Sequence, residues 1–202
     1  EKEENPFLGY RAIRICLDRV DIFKTQLRAI LRASTYGPVG IMFPMISCLE
    51  ELSAAKKILK ECRDELLNEK ISFSQDIKIG IMIEIPSAAL MSDKLAKHVD
   101  FFSMGTNDLT QYTCAVDRIN QKISHLYNPF NPGLLKLINM TAKSAKDGNI
   151  DISICGSMAH FPELIPFFIG SGITKLSMSP MHILKTKAVS YTHLTLPTTP
   201  YV

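Results

Sequence analysis

The chemistry this sequence can do is concentrated in two carboxylates and their neighbours. Glu84 stands directly after the apolar run 79–83, and Asp108 follows the run 99–104 across Gly105-Thr106-Asn107. Apolar runs closed by polar residues are the pattern of strands covered on both faces. Two such strands joined by a helical crossover lie parallel, adjacent or nearly so, with their C-terminal ends on one side. Glu84 and Asp108 are therefore expected on one rim. A carboxylate pair there suits a hard divalent cation that keeps positions open for a phosphorylated substrate. Asn107 and the backbone amides around Gly105 suit phosphate oxygens held at a helix N-terminus. Arg118, one short loop further on, and Arg11, on the opening segment, offer forked contacts to the same phosphate. Cys155 ends another apolar run and precedes Gly156. Placed on the same rim, its thiol could deliver a proton to carbon.

Each of these residues also has an ordinary reading. Glu84 suits an acid stabilising the dipole of a helix that starts after Pro86. Asp108 suits a turn or an N-cap. The arginines suit solvated surface charges, and Cys155 suits a small buried hydrophobe. His98, His125, His160 and His182 stand singly, and none of the histidines has metal-ligand spacing.

The elements that must position these residues alternate along the chain. Residues 1–10 read as a loop around Pro6 and Gly9, and 11–33 as a helix stopped near Gly37-Pro38. Strands are expected at 40–45, 79–83, 99–104, 152–155 and 175–178. Helices are expected at 48–70, 87–98, 133–146 and 162–169, with one or two helical turns at 108–115 and another helix starting at 181. Five alternations of strand and helix imply an α/β fold, a parallel sheet with helices packed outside it. Neither GxGxxG after the first strand nor GxxxxGK[ST] occurs, which weakens the dinucleotide and P-loop readings. An open doubly wound sheet and part of a (β/α)8 TIM barrel both fit the alternation. The polar candidates fall just after three successive strands, which favours the C-terminal face of a barrel.

The 202 residues are 46% hydrophobic and 21% charged, enough for one sizeable core. A formal net charge of +3 with both signs interspersed argues against a nucleic-acid surface. No apolar stretch reaches membrane-spanning length, and the acidic start is no signal peptide. Cys16, Cys48, Cys62, Cys114 and Cys155 are scattered without a CxxC, a reduced, cytoplasmic pattern.

The segments EENPFLGYRAIR, GIMFPMI, GIMIEIPSAA, VDFFSMGTNDLTQYTCAVDR, HLYNPFNP and ICG together closely resemble the enzyme I family of the bacterial phosphotransferase system, the phosphoenolpyruvate–protein phosphotransferases. The likeness covers residues 1–188. Pyruvate phosphate dikinase and phosphoenolpyruvate synthase share an IGTNDLTQ-like segment and a CG after a strand, and that branch stays open beside the first. So does a degenerate homologue that binds without turnover. The resemblance implies Glu84 and Asp108 as magnesium ligands, and Asn107, Arg118 and Arg11 as groups around the substrate phosphate. It implies Cys155 as the acid that protonates the enolate carbon. It further implies a transferase that passes the phosphoryl group to a histidine on a separate domain, then to a phosphocarrier protein that feeds sugar transport, and that works as a cytoplasmic homodimer. On this likeness the chain is a fragment holding about the last five strands of the barrel, inactive by itself. The family usually continues Cys-Gly with Glu, and with Ala-Gly-Asp shortly after. Here Ser157, His160 and Phe161 stand in that stretch, so the hydrogen bonding around Cys155 is expected to differ. Residues 189–202, Thr- and Pro-rich, resemble a translated library adapter and are expected to be a non-native tail with no helix to complete.

Overall fold

The computed structural model describes residues 3–194, with the side chains of 192–194 excepted. After a short 3-10 turn at Pro6–Leu8, the chain runs through α1 (Ile13–Asp18), α2 (Val20–Ala33), β1 (Gly40–Phe43), α3 (Leu49–Asn68) and β2 (Lys78–Ile83). It continues through α4 (Pro86–Leu90), α5 (Ser92–Leu95), β3 (Phe101–Gly105), α6 (Thr106–Cys114) and α7 (Pro132–Asp147). β4 (Asp151–Cys155), α8 (Ile165–Gly170), β5 (Lys175–Ser177) and α9 (Pro180–Leu194) follow.

The strands form one parallel sheet in the order β1-β2-β3-β4-β5. Sequential order without a reversal excludes the doubly wound alternative, in which the strand order must turn back at a switch point. Right-handed crossovers between successive neighbours put every connecting helix on the same side of the sheet. The result is a partial barrel wall.

Register separates the two faces of that wall. Phe43, Ile81, Phe102 and Ile152 lie side by side across four strands, and Ile83, Met104, Ile154 and Leu176 form the next row. The first seven of these are buried in one cluster with Leu27, Leu31, Leu52, Leu59, Leu134, Ile138 and Phe168 from the helices, and Leu176 packs against it. Each large side chain so buried contributes about 1.5–3 kcal/mol of transfer free energy. The other face, which would be the barrel interior, carries Met42, Met82, Ser103, Ser153 and Cys155. At its lower end the Phe101 ring lies so close over Gly80 that a Cβ there would sit 2.3 Å from it.

Three expected helices differ in the structure. The helix expected over 11–33 breaks at Arg19, whose backbone leaves the helical region (φ −99, ψ 66). Its guanidinium folds forward onto Asp21 with two bonds of 3.1 and 3.2 Å, a local tie that helical periodicity does not encode. The helix expected over 87–98 is split at Met91 into α4 and α5, with a 3-10 turn at Ala96–His98. α9 runs to Leu194, past the expected 188/189 boundary, so the expectation of no helix there fails. Neither Gly nor Pro occurs in 189–194, and the prolines that gave the tail its loop character, Pro197 and Pro200, lie outside the described residues. His160 and His182, expected to stand singly, stack with ring centroids 4.0 Å apart and planes 8° from parallel.

Candidate active site

The C-terminal ends of β2, β3 and β4 bring the expected residues to one rim. Glu84 directly follows β2 and is buried. One of its oxygens accepts the Met45 backbone N–H at 2.6 Å, a bond made possible by the left-handed turn of Met45 (φ 55) just after β1. Gly105 ends β3 with no side chain: a Cβ there would lie 2.9 Å from Glu84 Oε2. Burial chiefly, and the Asp108 charge to a lesser degree, push the Glu84 carboxyl up to about 7 against the pull of the Met45 amide and of Arg11 and Arg118.

Asp108 sits in the first turn of α6, so it is not the N-cap its sequence context allowed. It is buried, and its two oxygens are divided between two cations: Arg118 Nη1 lies 2.8 Å from Oδ1 and Arg11 Nη2 3.1 Å from Oδ2. Both arginines reach it through unusual backbone. Ala115, at the end of α6, takes the left-handed conformation (φ 53), and Gln111 Oε1 then accepts the Arg118 N–H at 3.0 Å. Ala12, directly after Arg11, also has positive φ (φ 53, ψ −127). Non-glycine residues held in such conformations cluster where a site needs a particular aim.

Asn107 Oδ1 accepts two bonds from Ser157, from its N–H at 2.9 Å and its hydroxyl at 2.8 Å. That leaves the amide nitrogen as a donor. The Thr106 hydroxyl donates to the Cys155 carbonyl at 2.7 Å, tying the turn after β3 to the end of β4. Cys155 is half-buried, and its thiol donates to the Met104 carbonyl at 3.3 Å and accepts from the Ser103 hydroxyl at 3.5 Å. Burial pushes the thiol above its ordinary value, outweighing the Ser103 bond that lowers it, with a smaller upward push from Glu84. The bonds of the Cys155 thiol thus come from β3 residues, and Ser157, one of the departures noted above, braces Asn107 instead.

All six expected residues come together. The sequence reading named Thr106 and Ser157 without the part they play in locking the two turns, and it missed Tyr112, whose hydroxyl receives Arg11 Nη1 at 3.4 Å and donates to the Phe7 carbonyl. Thr106 and Tyr112 lie inside the GTNDLTQYT segment, and Ser157 stood out only as a departure beside Cys155, with nothing local to point it at Asn107. Beside the rim a cleft of about 520 Å³ opens between the N-terminal loop and the end of α6, lined by Phe7, Met45, Pro86, Tyr112 and Val116 among others. Among the described residues no cluster of three or more His, Cys, Asp or Glu side chains forms. The donor set is therefore two hard carboxylate groups, one of them resisting ionisation beside the other. A hard divalent cation that takes its remaining ligands from substrate and water fits such a pair.

The sequence family described as PEP-utilising enzyme, PEP-binding domain, matches residues 1–193. A phosphoenolpyruvate-protein phosphotransferase of Priestia megaterium is 51% identical over 187 residues, which is 93% of this chain and 33% of that protein. The Mycoplasma genitalium protein of the same name is 53% identical over 187 residues, 93% of this chain and 32% of that one. The Bacillus subtilis one is 50% identical over 186 residues, 92% and 33%. The chain thus spans about a third of the length of these relatives. Among solved structures, a citrate lyase from Burkholderia xenovorans superposes with a TM-score of 0.63 at 18% identity, over 86% of this chain and 55% of that one. At that identity the likeness speaks for the fold alone.

Proposed function

The chain belongs to the PEP-binding domain family of PEP-utilising enzymes, and from that premise we propose that it is the substrate-binding barrel segment of a phosphoenolpyruvate–protein phosphotransferase. The full-length protein transfers the phosphoryl group of phosphoenolpyruvate to a histidine outside this chain and releases pyruvate. The observation that carries this reading is Asp108, buried and shared between Arg11 and Arg118, with buried Glu84 beside it and the Cys155 thiol on the same rim.

Each residue has a task in that reaction. Glu84 and Asp108 would hold magnesium, which supplies positive charge against the phosphate oxygens. Arg11 and Arg118, each about one-third exposed, present forked donors that a phosphate can take over from Asp108. Asn107, with its oxygen engaged by Ser157, turns its amide donors to the same group. Breaking the P–O bond sends the phosphoryl group to the histidine nitrogen and leaves the enolate of pyruvate. Its carbon takes the proton from Cys155 Sγ, and solvent restores the thiol. A thiol held above its ordinary value stays protonated at neutral pH, as an acid must.

The relatives named above are all phosphotransferases, which favours this branch over a dikinase or synthase. The assembled rim favours turnover over a degenerate binder. The phosphohistidine then serves a phosphocarrier protein in the first step of sugar transport, with the enzyme a homodimer in the cytoplasm. No helix among the described residues is long and apolar enough to cross a membrane. The decisive experiment is calorimetric titration of the full-length enzyme and its Asp108→Ala variant with phosphoenolpyruvate, with and without magnesium. Asp108→Ala abolishes magnesium-dependent binding on this reading. Binding that survives would mean that the carboxylate pair is not the metal site.

A further inference from the structure

Phe7 lies in the 3-10 turn Pro6–Leu8 of the opening loop, half-buried, at a position with no chemistry of its own. The guanidinium carbons of Arg11 and Arg118 lie over its ring, 5.6 Å and 5.2 Å from the centroid. These are the two cations that divide Asp108 between them. The turn is itself anchored: the Phe7 carbonyl accepts from the Tyr112 hydroxyl, and Arg14 Nη1 donates to the Leu8 and Gly9 carbonyls at 2.8 and 3.0 Å. One ring therefore touches both arginines, and a tyrosine of α6 holds that ring's backbone.

We infer that Phe7 is a positioning residue for phosphate recognition, holding Arg11 and Arg118 beside the rim when a phosphate draws them away from Asp108. The inference rests on the reading of those arginines as phosphate-binding groups. An aromatic face attracts a guanidinium through the ring quadrupole. It does so without occupying any of the five N–H donors. A carboxylate or carbonyl in the same place would hold the arginines by consuming those donors. A leucine would wall off the same space but attract nothing, so the two roles of a side chain here, filling and attracting, are separable by substitution.

The test compares Phe7→Leu and Phe7→Tyr in the full-length phosphotransferase, with Arg11→Ala and Arg118→Ala alongside. Phe7→Leu raises KM for phosphoenolpyruvate about tenfold, the scale of two cation–π contacts, with kcat within about twofold of the parent. The calorimetric Kd for phosphoenolpyruvate rises by a similar factor, and Phe7→Tyr restores both to within about twofold, because the ring and not its volume is what counts. A Phe7→Leu variant equal to the parent overturns the inference, and so does a Phe7→Tyr variant as impaired as Phe7→Leu. If both arginine variants keep the parent KM, the phosphate reading of the site fails and this inference with it. If the arginine variants raise KM while Phe7→Leu does not, the site reading stands and Phe7 alone is mere wall.

Discussion

On the flank of the molecule Lys24 and Arg28 of α2 reach Glu61 and Glu65 of α3 and Glu69 just past its end, at 2.6–3.1 Å. On the rim Arg11 and Arg118 reach Asp108 at 2.8 and 3.1 Å. Distances alone would rank the two clusters together, but their surroundings differ. The flank side chains keep 24–48% of their surface in water, whereas the Asp108 side chain keeps 8%. Exposed pairs gain little because water screens them and the side chains lose freedom to meet. A buried carboxylate gives up several kcal/mol of hydration, of the order that its partners return, and on this rim a second, Glu84, is buried beside it. A fold seeking stability would place apolar residues there. The flank is charge that the helices tolerate; the rim is charge that the fold is made to hold.

Three further consequences of that difference can be measured. The largest lies beside the rim charges: Cys155→Ala slows pyruvate release by about 10²–10⁴-fold, the usual range for a lost general acid, while phosphoenolpyruvate affinity stays within about twofold. Unchanged turnover would remove Cys155 from the mechanism. Next comes the pH response of the unligated protein. The Glu84 carboxyl is raised to about 7 in the folded chain, so the folded state binds the extra proton between about 4.5 and 7. Stability is then greatest below the unfolded pKa and falls as pH rises through that window. Thermal midpoints taken across it decline in the parent and flatten in Glu84→Gln; equal slopes would show that Glu84 ionises freely. The smallest effect belongs to the flank. Glu65, whose carboxyl is held below its usual range by Lys24 first and by Arg28, gives a contribution present above its unfolded pKa and lost on acidification. Glu65→Gln lowers the thermal midpoint slightly, less so in high salt, and leaves KM for phosphoenolpyruvate unchanged. A shift in KM from so remote a change would erase the contrast between the two clusters.

Much of the fold was legible because the signals are local. The runs at 79–83 and 152–155 are apolar with polar ends, and they became β2 and β4 within a residue. The choice of barrel over open sheet needed strand order, which sequence alone does not give. Glu84, Asp108 and Cys155 were legible because parallel strands send their C-terminal ends to one side. What pairs with what was not. The fold-back that sends Arg118 to Asp108 depends on the left-handed Ala115, and alanine carries no mark of that conformation. Ser157 reaches Asn107 across fifty residues, and the stack of His160 on His182 joins α9 to the turn after β4. Such contacts are set by how strands are brought side by side, which no window of neighbouring residues contains.

Gly156 has φ +100, and a Cβ there would lie 2.7 Å from Thr106 Oγ1 and 2.9 Å from Asn107 Oδ1. With the bonds from Thr106 to Cys155 and from Ser157 to Asn107, the turn after β3 and the turn after β4 are one part cast in two pieces. For recombination between related proteins this sets where the chain can be cut. A crossover within α7 would mate one parent's Thr106-Asn107 with the other's turn at Gly156, and the two have no slack for a mismatch. Seams before β3 or beyond the 3-10 turn Ser157–His160 keep both halves from the same parent.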